Sequence, residues 1–229
     1  MTTVVVTGAS RGIGLELCRR FAERGDRVIA GARDPAGATK LAALARAHST
    51  LTVHALDVAN GHSISSFAAS LSGAVVDVLV NNAGIGGDRA RIAEANLSDW
   101  RVVLETNALG PVLLTQALLP NLRAGAGRKI VHVTSRMGSV TDHPAGGYYA
   151  YRMSKAALNM ASLCMAVDLK AERMISVVIN PGWVQTDMGG PSARTSLEDS
   201  VAGMIRIIDA LTPKDSGRAL HFDGTDIPL

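Results

Sequence analysis

A phenol and an ammonium stand four positions apart at Tyr151-x-x-x-Lys155, inside the stretch Tyr148-Tyr149-Ala150-Tyr151-Arg152-Met153-Ser154-Lys155. On a helix that spacing puts both side chains on one face, about one turn apart. A positive charge beside a phenol, more so near a cationic cofactor ring, favours the phenolate and draws a tyrosine down from its usual pKa of about 10. A tyrosine tuned in this way passes a proton to or from a carbonyl oxygen at neutral pH. The same pair on a solvated helix face is ordinary and does nothing. What separates the two readings is whether the chain also builds a nucleotide site and further polar groups around the pair.

The nucleotide signal lies at the start of the chain. Val4-Val5-Val6 is a short β-branched run, followed at once by Thr7-Gly8-Ala9-Ser10-Arg11-Gly12-Ile13-Gly14. Ile13, Leu17 and Phe21 then recur at four-residue spacing, with Cys18 beside them, as an amphipathic helix ending near Gly25. In a strand–turn–helix context, Gly8, Gly12 and Gly14 let the backbone approach a pyrophosphate, and the helix start offers free N–H groups and partial positive charge. Ser10, Arg11 and Ile13 belong to the same turn and are expected to face the cofactor. The spacing Gly8-x-x-x-Gly12-x-Gly14 differs from the commoner G-x-G-x-x-G, and a plain tight turn into a helix is the bland alternative.

The second strand, Arg27-Val28-Ile29-Ala30, leads to Gly31-Ala32-Arg33. A site selecting NAD places an acid here to bond the ribose 2′-hydroxyl. None occupies Ala30, Gly31 or Ala32, while Arg33 follows where a 2′-phosphate would sit and Arg11 reaches the same region. Two arginines and no acid favour NADP(H) over NAD(H). Asp34 next door works against this, and Arg33 as a solvated turn residue is the alternative.

Further along, Ala36 to Ala47 reads as a helix and Leu51 to Leu56 as a third strand ending in Asp57-Val58. Asp57 there meets an adenine amine or caps the next helix. A helix from Ser63 to Leu71 precedes the strand Val76 to Val80, which stops at Asn81-Asn82-Ala83-Gly84. The small residues allow close backbone approach, and asparagine side chains tie neighbouring strand ends together. Trp100 to Leu122 reads as one long helix interrupted at Asn107-Ala108-Leu109-Gly110-Pro111, a misfit of the kind that marks function. Arg128 to Thr134 is a fifth strand with Ser135 at its end. The tyrosine helix runs from Tyr148 to Lys170, with Ala157, Met160, Ala161 and Cys164 packing inward. Met174 to Asn180 is a sixth strand, stopped by Pro181-Gly182. A helix from Leu197 to Leu211 and a short strand, Ala219 to Phe222, finish the chain. Strands alternate with helices without linker or repeat, which predicts an α/β fold. The expected architecture is a doubly wound parallel sheet with helices on both faces, in a single domain over residues 1–229.

Composition agrees. The chain has 229 residues, 47% apolar and 19% charged, which excludes disorder. The formal net charge is +3, but the basic residues are scattered without a run or stripe, so no nucleic-acid partner is expected. No apolar run approaches the roughly 18 residues of a membrane span. Met1 to Val6 lacks the basic start and long apolar region of a signal peptide, and a cytoplasmic location is expected. Cys18 and Cys164 both sit in apolar helical patterns and are expected as buried thiols rather than a disulfide. No metal site is expected.

Thr7–Gly14, Asn81–Gly84, Ser135 with Tyr151 and Lys155, and Pro181-Gly182, in that order, resemble the short-chain dehydrogenase/reductase family in its single-domain branch, with its Rossmann-type sheet. The resemblance covers nearly the whole chain. It implies that Tyr151 is the catalytic acid/base and that Lys155 lowers its pKa and holds the nicotinamide ribose. Ser135, followed by Gly138 as the family pattern expects, would hydrogen-bond the substrate oxygen. Asn107 would anchor a water leading protons to the lysine, and Thr186 would hold the carboxamide. Asp57, Val58, Asn81, Ala83, Gly84, Pro181, Gly182 and Val184 would complete the cofactor site. Ser135 and Tyr151 are sixteen positions apart, a few more than the family's usual gap. Tyr148 would restore that gap, but its i+4 partner is Arg152, and for Tyr149 it is Met153. The extra length therefore reads as an insertion in the loop Arg136 to Gly147, bordering the substrate pocket. Ser139 in place of Ser135 is the alternative. The Ser135–Ser139 segment and the Gly146–Lys155 run are similar to the C-factor/sniffer-like subgroup of carbonyl reductases.

The function implied is NADPH-dependent reduction of a ketone or aldehyde, reversible as alcohol oxidation. The alternative from another class is an NADP(H)-binding signalling or redox-sensing protein of the same fold with little or no turnover. Met137, Trp183 and Met188 suggest an apolar substrate pocket, while Arg136, His143 and Arg152 could meet an anion. Gly189-Gly190-Pro191 predicts a small, mobile lid. The family often pairs subunits through the tyrosine helix and its long neighbour, so a homodimer or homotetramer is an open expectation.

Overall fold

The computed structural model describes residues 1–229. Seven strands form one sheet in the order β3-β2-β1-β4-β5-β6-β7, and every neighbouring pair is parallel. They are β1 (Thr3–Thr7), β2 (Arg27–Ala32), β3 (Leu51–Ala55), β4 (Val78–Asn81), β5 (Lys129–Val133), β6 (Ile175–Asn180) and β7 (Ala219–His221). The helices are α1 (Gly12–Glu23), α2 (Thr39–Ala47), α3 (Gly61–Ser70), α4 (Leu97–Leu104), α5 (Gly110–Ala124), α6 (Tyr149–Asp168) and α7 (Leu197–Ala210). The expected alternation is present, with ends moved by one to three residues in most elements.

The central strands are apolar on both sides because both sides are covered. In β1, Val4 and Val6 pack toward Leu17, Phe21 and Met204, on the face carrying α1, α2 and α7. Val5 between them packs toward Phe67, Leu114 and Leu118, on the face carrying α3 and α5. A period of two thus feeds two cores at once. β4 starts later than expected because Asp77 is spent as a joint: its carboxylate accepts from the N–H groups of Thr3, Ala126 and Gly127.

The long helix expected from Trp100 to Leu122 is α4 and α5 joined by a π-helical segment, Glu105–Leu109. The Asn-Gly-Pro misfit is thus accommodated by one wide turn, which buries Asn107 completely. The tyrosine helix corrects a second expectation. Ala157, Met160 and Cys164 are exposed and Ala161 is half-buried. The inward face is instead Ser154, Lys155, Leu158, Asn159 and Ser162. Small and polar groups face the sheet because they bond across it: Thr134 donates to Asn159 at 2.6 Å, and Ser162 and Ser176 share a 2.9 Å bond. Close packing of α6 is achieved by hydrogen bonds, and the apolar stripe is left outside. Cys18 is buried, as expected; Cys164 is not.

One polar group lies deep in the face under α5. His132 in β5 is fully buried, with Asn81 Nδ2 3.2 Å from its Nδ1; the same amide donates to Thr115 Oγ1 at 3.1 Å. Burial, with the Lys155 charge nearby, pushes the imidazole pKa down to about 3. In the unfolded chain it titrates near 6.5. Between those values the unfolded state binds the extra proton, so stability is held above pH 6.5 and falls as pH drops below it. Replacing His132 with Gln removes this one proton. Urea unfolding at pH 7 and pH 5 should show the stability gap between the two proteins narrowing in acid, by at most about 1.4 kcal/mol per pH unit. A gap independent of pH would contradict a buried neutral imidazole.

Candidate active site

The strand order reverses between β1 and β4, and there the C-terminal strand ends splay around a cavity of about 590 Å³. Thr7 fixes the edge. Its hydroxyl accepts from the N–H groups of Asn82 and Ala83 at 3.0 and 2.9 Å, while Asn82 Nδ2 donates to the Thr7 carbonyl at 2.8 Å. This cross-tie brings the turn after β4 against the glycine turn after β1. Gly8 is left-handed, with φ +65°, and a Cβ on it would lie 2.8 Å from Ala83 Cα. A Cβ on Gly14 would strike the Gly8 carbonyl oxygen. Both glycines are therefore required by close approach, and the start of α1 is left open, with no side chain capping it.

Gly8, Ser10, Arg11, Gly12 and Ile13 line one part of the cavity, joined by Arg33, Asp57 and Val58. Asp57 is not a helix cap; Asn60 caps α3 by accepting from Ser63 N–H at 3.0 Å. Ala83, Gly84, Tyr151, Lys155, Pro181 and Thr186 line the remainder. Gly14, Gly182 and Val184 shape the walls without lining them. Val184 is buried and bridges to Thr195, and Gly182, at φ +85°, packs on Phe222. Asn81 departs from expectation. Its side chain turns into the layer under α5, toward Thr115 and His132, and Asn82 is the asparagine that reaches the cavity. Strand alternation is the reason: consecutive side chains leave opposite faces. Lys40 and Gln185 also line the cavity and were not singled out by sequence.

The three tyrosines separate by environment. Tyr148 is left-handed, φ 54°, at the start of α6, with Arg89 over its ring at 5.7 Å. Tyr149 stacks on Trp100, centroids 5.8 Å apart and planes 13° from parallel. Tyr151 alone faces the cavity, with Lys155 Nζ 5.7 Å from its ring centroid. The Lys155 ammonium is buried and donates to the Val133 carbonyl at 2.8 Å.

Ser135 lies within hydrogen-bonding reach of the Tyr151 phenol and also accepts from Met137 N–H at 3.2 Å. Ser139 is occupied elsewhere, accepting from Asp142 N–H at 2.9 Å. Asn107 accepts from Ile85 N–H and donates to the Ile85 carbonyl, both at 2.8 Å, and donates to Ser154 Oγ at 3.0 Å. Its side chain is therefore a brace that holds the Gly84–Ile85 turn beside Lys155.

The charges differ from the simple expectation. Burial raises the Tyr151 pKa above that of an ordinary phenol, the hydrogen bond from Ser135 opposing it, and Lys155 does not reverse this in the chain alone. The same burial brings Lys155 down to about 8. Tyr151 is thus a neutral phenol with a proton to give, beside an ammonium that is close to releasing its own. The loop from Arg136 to Gly147 uses its cations internally. Arg136 pairs with Asp142 at 2.6 Å, and Arg152 donates to the Gly147 carbonyl at 3.1 Å and lies 3.3 Å from His143. Trp183 Nε1 donates to the Gly189 carbonyl at 2.8 Å, which folds the loop after Pro181-Gly182 onto itself.

A larger cavity, about 720 Å³, opens at the opposite edge of the sheet. Its buried-side cation, Lys129, donates to the carbonyls of Ile208 and Asp209 and closes the end of α7. It holds no arrangement resembling that around Tyr151.

The profile of the family described as short chain dehydrogenase matches residues 2–196. The chain belongs to this family. It is 50% identical to C-signal of Myxococcus xanthus over 163 residues, which cover 71% of this chain and 98% of that protein. The carbonyl reductase Sniffer of D. melanogaster superposes with a TM-score of 0.95 at 33% identity, covering 100% of both chains. The NADPH-bound carbonyl reductase from chicken fatty liver superposes with a TM-score of 0.94 at 35% identity, covering 100% of this chain and 99% of that one. No helix is long and apolar enough to cross a membrane.

One glycine holds the catalytic-type residues together. A Cβ on Gly138 would lie 2.7 Å from both the carbonyl carbon and Cβ of Lys155. Gly138→Ala should push the Ser135 turn off α6, costing about 1–3 kcal/mol in urea unfolding, and should lower turnover more than cofactor affinity. Unchanged stability and turnover would show that the close approach is not needed.

Proposed function

We propose that this chain is an NADPH-dependent reductase of a ketone or aldehyde, able to run in reverse as an alcohol dehydrogenase. The observation that carries the reading is Tyr151 and Lys155 at one end of a cavity, with Ser135 beside the phenol, and a glycine turn with Arg11 and Arg33 at the other end. The cavity suits a dinucleotide. The Gly8 and Gly14 positions admit no side chain, α1 begins uncapped, and Arg11 and Arg33 in the lining supply positive charge for a ribose phosphate. Bound there, a reduced nicotinamide supplies the hydride for the carbonyl carbon.

The chain's own groups manage the oxygen. Tyr151, kept as a neutral phenol by burial, gives its proton to the carbonyl oxygen as negative charge develops on it. Ser135 donates a hydrogen bond to the same oxygen, in a site where low dielectric makes such bonds strong. Lys155, held by the Val133 carbonyl, places a positive charge beside the phenolate that results. Its pKa near 8 lets it return a proton at neutral pH. Asn107 keeps the Gly84–Ile85 turn and Ser154 in place around the lysine. We infer a cytoplasmic location, since neither cysteine is paired.

NADPH absorbance followed against a panel of aldehydes, quinones and diketones tests this reading, with NADH as the comparison. Tyr151→Phe should lower turnover by about 10²-fold or more, the usual scale of a lost acid–base group, and leave NADPH binding nearly intact. Undiminished turnover in that variant would remove Tyr151 from the chemistry.

The apolar stripe outside α6 supports self-association. Met153, Met160 and Val167 are exposed on α6, as are Leu109 and Leu113 on the neighbouring π segment and α5. Two copies meeting through this face would bury it. Light scattering should give twice the mass of one chain, and Met160→Lys should return it to one; a wild-type monomer would rule this out.

A further inference from the structure

Three cations line the cavity on the side of β1 and β2, away from Tyr151: Arg11 in the glycine turn, Arg33 after β2 and Lys40 in α2. Sequence reasoning draws attention to the first two. Lys40 lies in an alanine-rich helix and carries no motif. Its placement is electrostatically poor for the chain alone. It occupies the first turn of α2, where a cation meets the positive end of the helix, with no acid in that turn and no side chain capping it. Asp34 does not compensate, because its carboxylate accepts from Gly37 N–H at 3.1 Å and closes the turn before the helix.

The counter-charge comes from across the cavity. Asp187, in the loop after Pro181-Gly182, places Oδ2 3.4 Å from Arg11 Nη1, and both side chains are exposed, at 79% and 75%. Asp187 lines the same cavity. At that exposure the pair is weak and exchangeable. A ribose 2′-hydroxyl would gain little from this set of charges. A 2′-phosphate, with nearly two negative charges, would neutralise Lys40 and Arg33 and compete with Asp187 for Arg11.

We propose that Lys40 and Asp187 set the choice between phosphorylated and unphosphorylated dinucleotide, in opposite directions. Lys40 is a third ligand for the 2′-phosphate, and Asp187 is the internal anion that the phosphate must displace. This rests on the NADP(H) reading of the cavity and adds the residues that tune it. Because Asp187 belongs to the loop carrying Trp183 and Thr186, phosphate binding also releases that loop from the glycine turn.

The test uses fragments that carry no nicotinamide, so that catalysis does not enter. Calorimetric titration of the full chain with adenosine 2′,5′-bisphosphate and with adenosine 5′-monophosphate, at one low ionic strength, separates the phosphate contribution. Lys40→Met should weaken the bisphosphate about fivefold and leave the monophosphate within about twofold, on the scale of one charge-assisted hydrogen bond. Lys40→Arg should retain the wild-type preference. Asp187→Asn should tighten the bisphosphate about twofold, in keeping with loss of an exposed ion pair, without changing the monophosphate. Equal losses for both fragments in Lys40→Met, or no loss, overturn the proposal, as does Asp187→Asn binding the bisphosphate no more tightly than wild type. Wild-type protein that binds both fragments alike overturns the NADP(H) reading and this proposal together. A wild-type preference that is undiminished in Lys40→Met overturns the proposal alone.

Discussion

An ammonium with almost no access to water is the constraint from which the site follows. Lys155 is 4% exposed and has one protein acceptor, the Val133 carbonyl. Withdrawing such a charge from water costs several kcal/mol unless dipoles replace the lost hydration. The fold meets that demand with the Val133 carbonyl dipole at the C-terminal edge of the sheet and by clearing space for the lysine stem. Gly138 clears it from one side, and the Asn107 turn and Gly84 from the other. The same desolvation that strains the lysine holds Tyr151 as a neutral acid. One physical cost, carried by the packing of α6, thus prepares both members of the pair in complementary states.

Much of this was legible in the chain. A three-valine strand followed by Gly8, Gly12 and Gly14 admits few structures, because a Cβ at Gly8 or Gly14 has nowhere to go. The spacing of Tyr151 and Lys155 picked one tyrosine of three, and the structure gives the other two separate tasks against Arg89 and Trp100. What the chain did not reveal was direction. Met160 and Cys164 looked like core by composition, yet α6 turns Asn159 and Ser162 inward, since its contact with the sheet is made of hydrogen bonds. Asn81 and Asn82 are adjacent and identical in type, and only the pleat decides which one faces the cavity. Lys40 is ordinary in sequence and is placed by the turn before α2.

The loop between Ser135 and Tyr151 is a self-contained structure. Arg136 closes on Asp142, Ser139 holds Asp142 N–H, and Arg152 holds the loop's far end through Gly147. Its cations are consumed in that work, and of the apolar groups expected at the pocket Met188 lines the cavity while Met137 and the half-exposed Trp183 do not. The extra residues thus form a loop whose polar atoms face one another and which stands outside the cavity lining.

The wide turn at Glu105–Leu109 carries a consequence for how the chain tolerates change in length. A π turn accommodates one residue more than an α turn, and each residue of an α-helix advances about 100° around the axis. Deleting any single residue between Leu104 and Gly110 would let α4 and α5 fuse into a regular helix. The helices on either side would keep nearly the same faces, because the residues of a π turn each advance less around the axis than α residues do, so that the turn absorbs its surplus residue. Trp100 would stay over Tyr149, while the wide turn that carries Asn107 to Ile85 and Ser154 would be lost. The surplus residue is therefore stored in the turn itself, where it leaves the faces of the two flanking helices in line and changes only where Asn107 points.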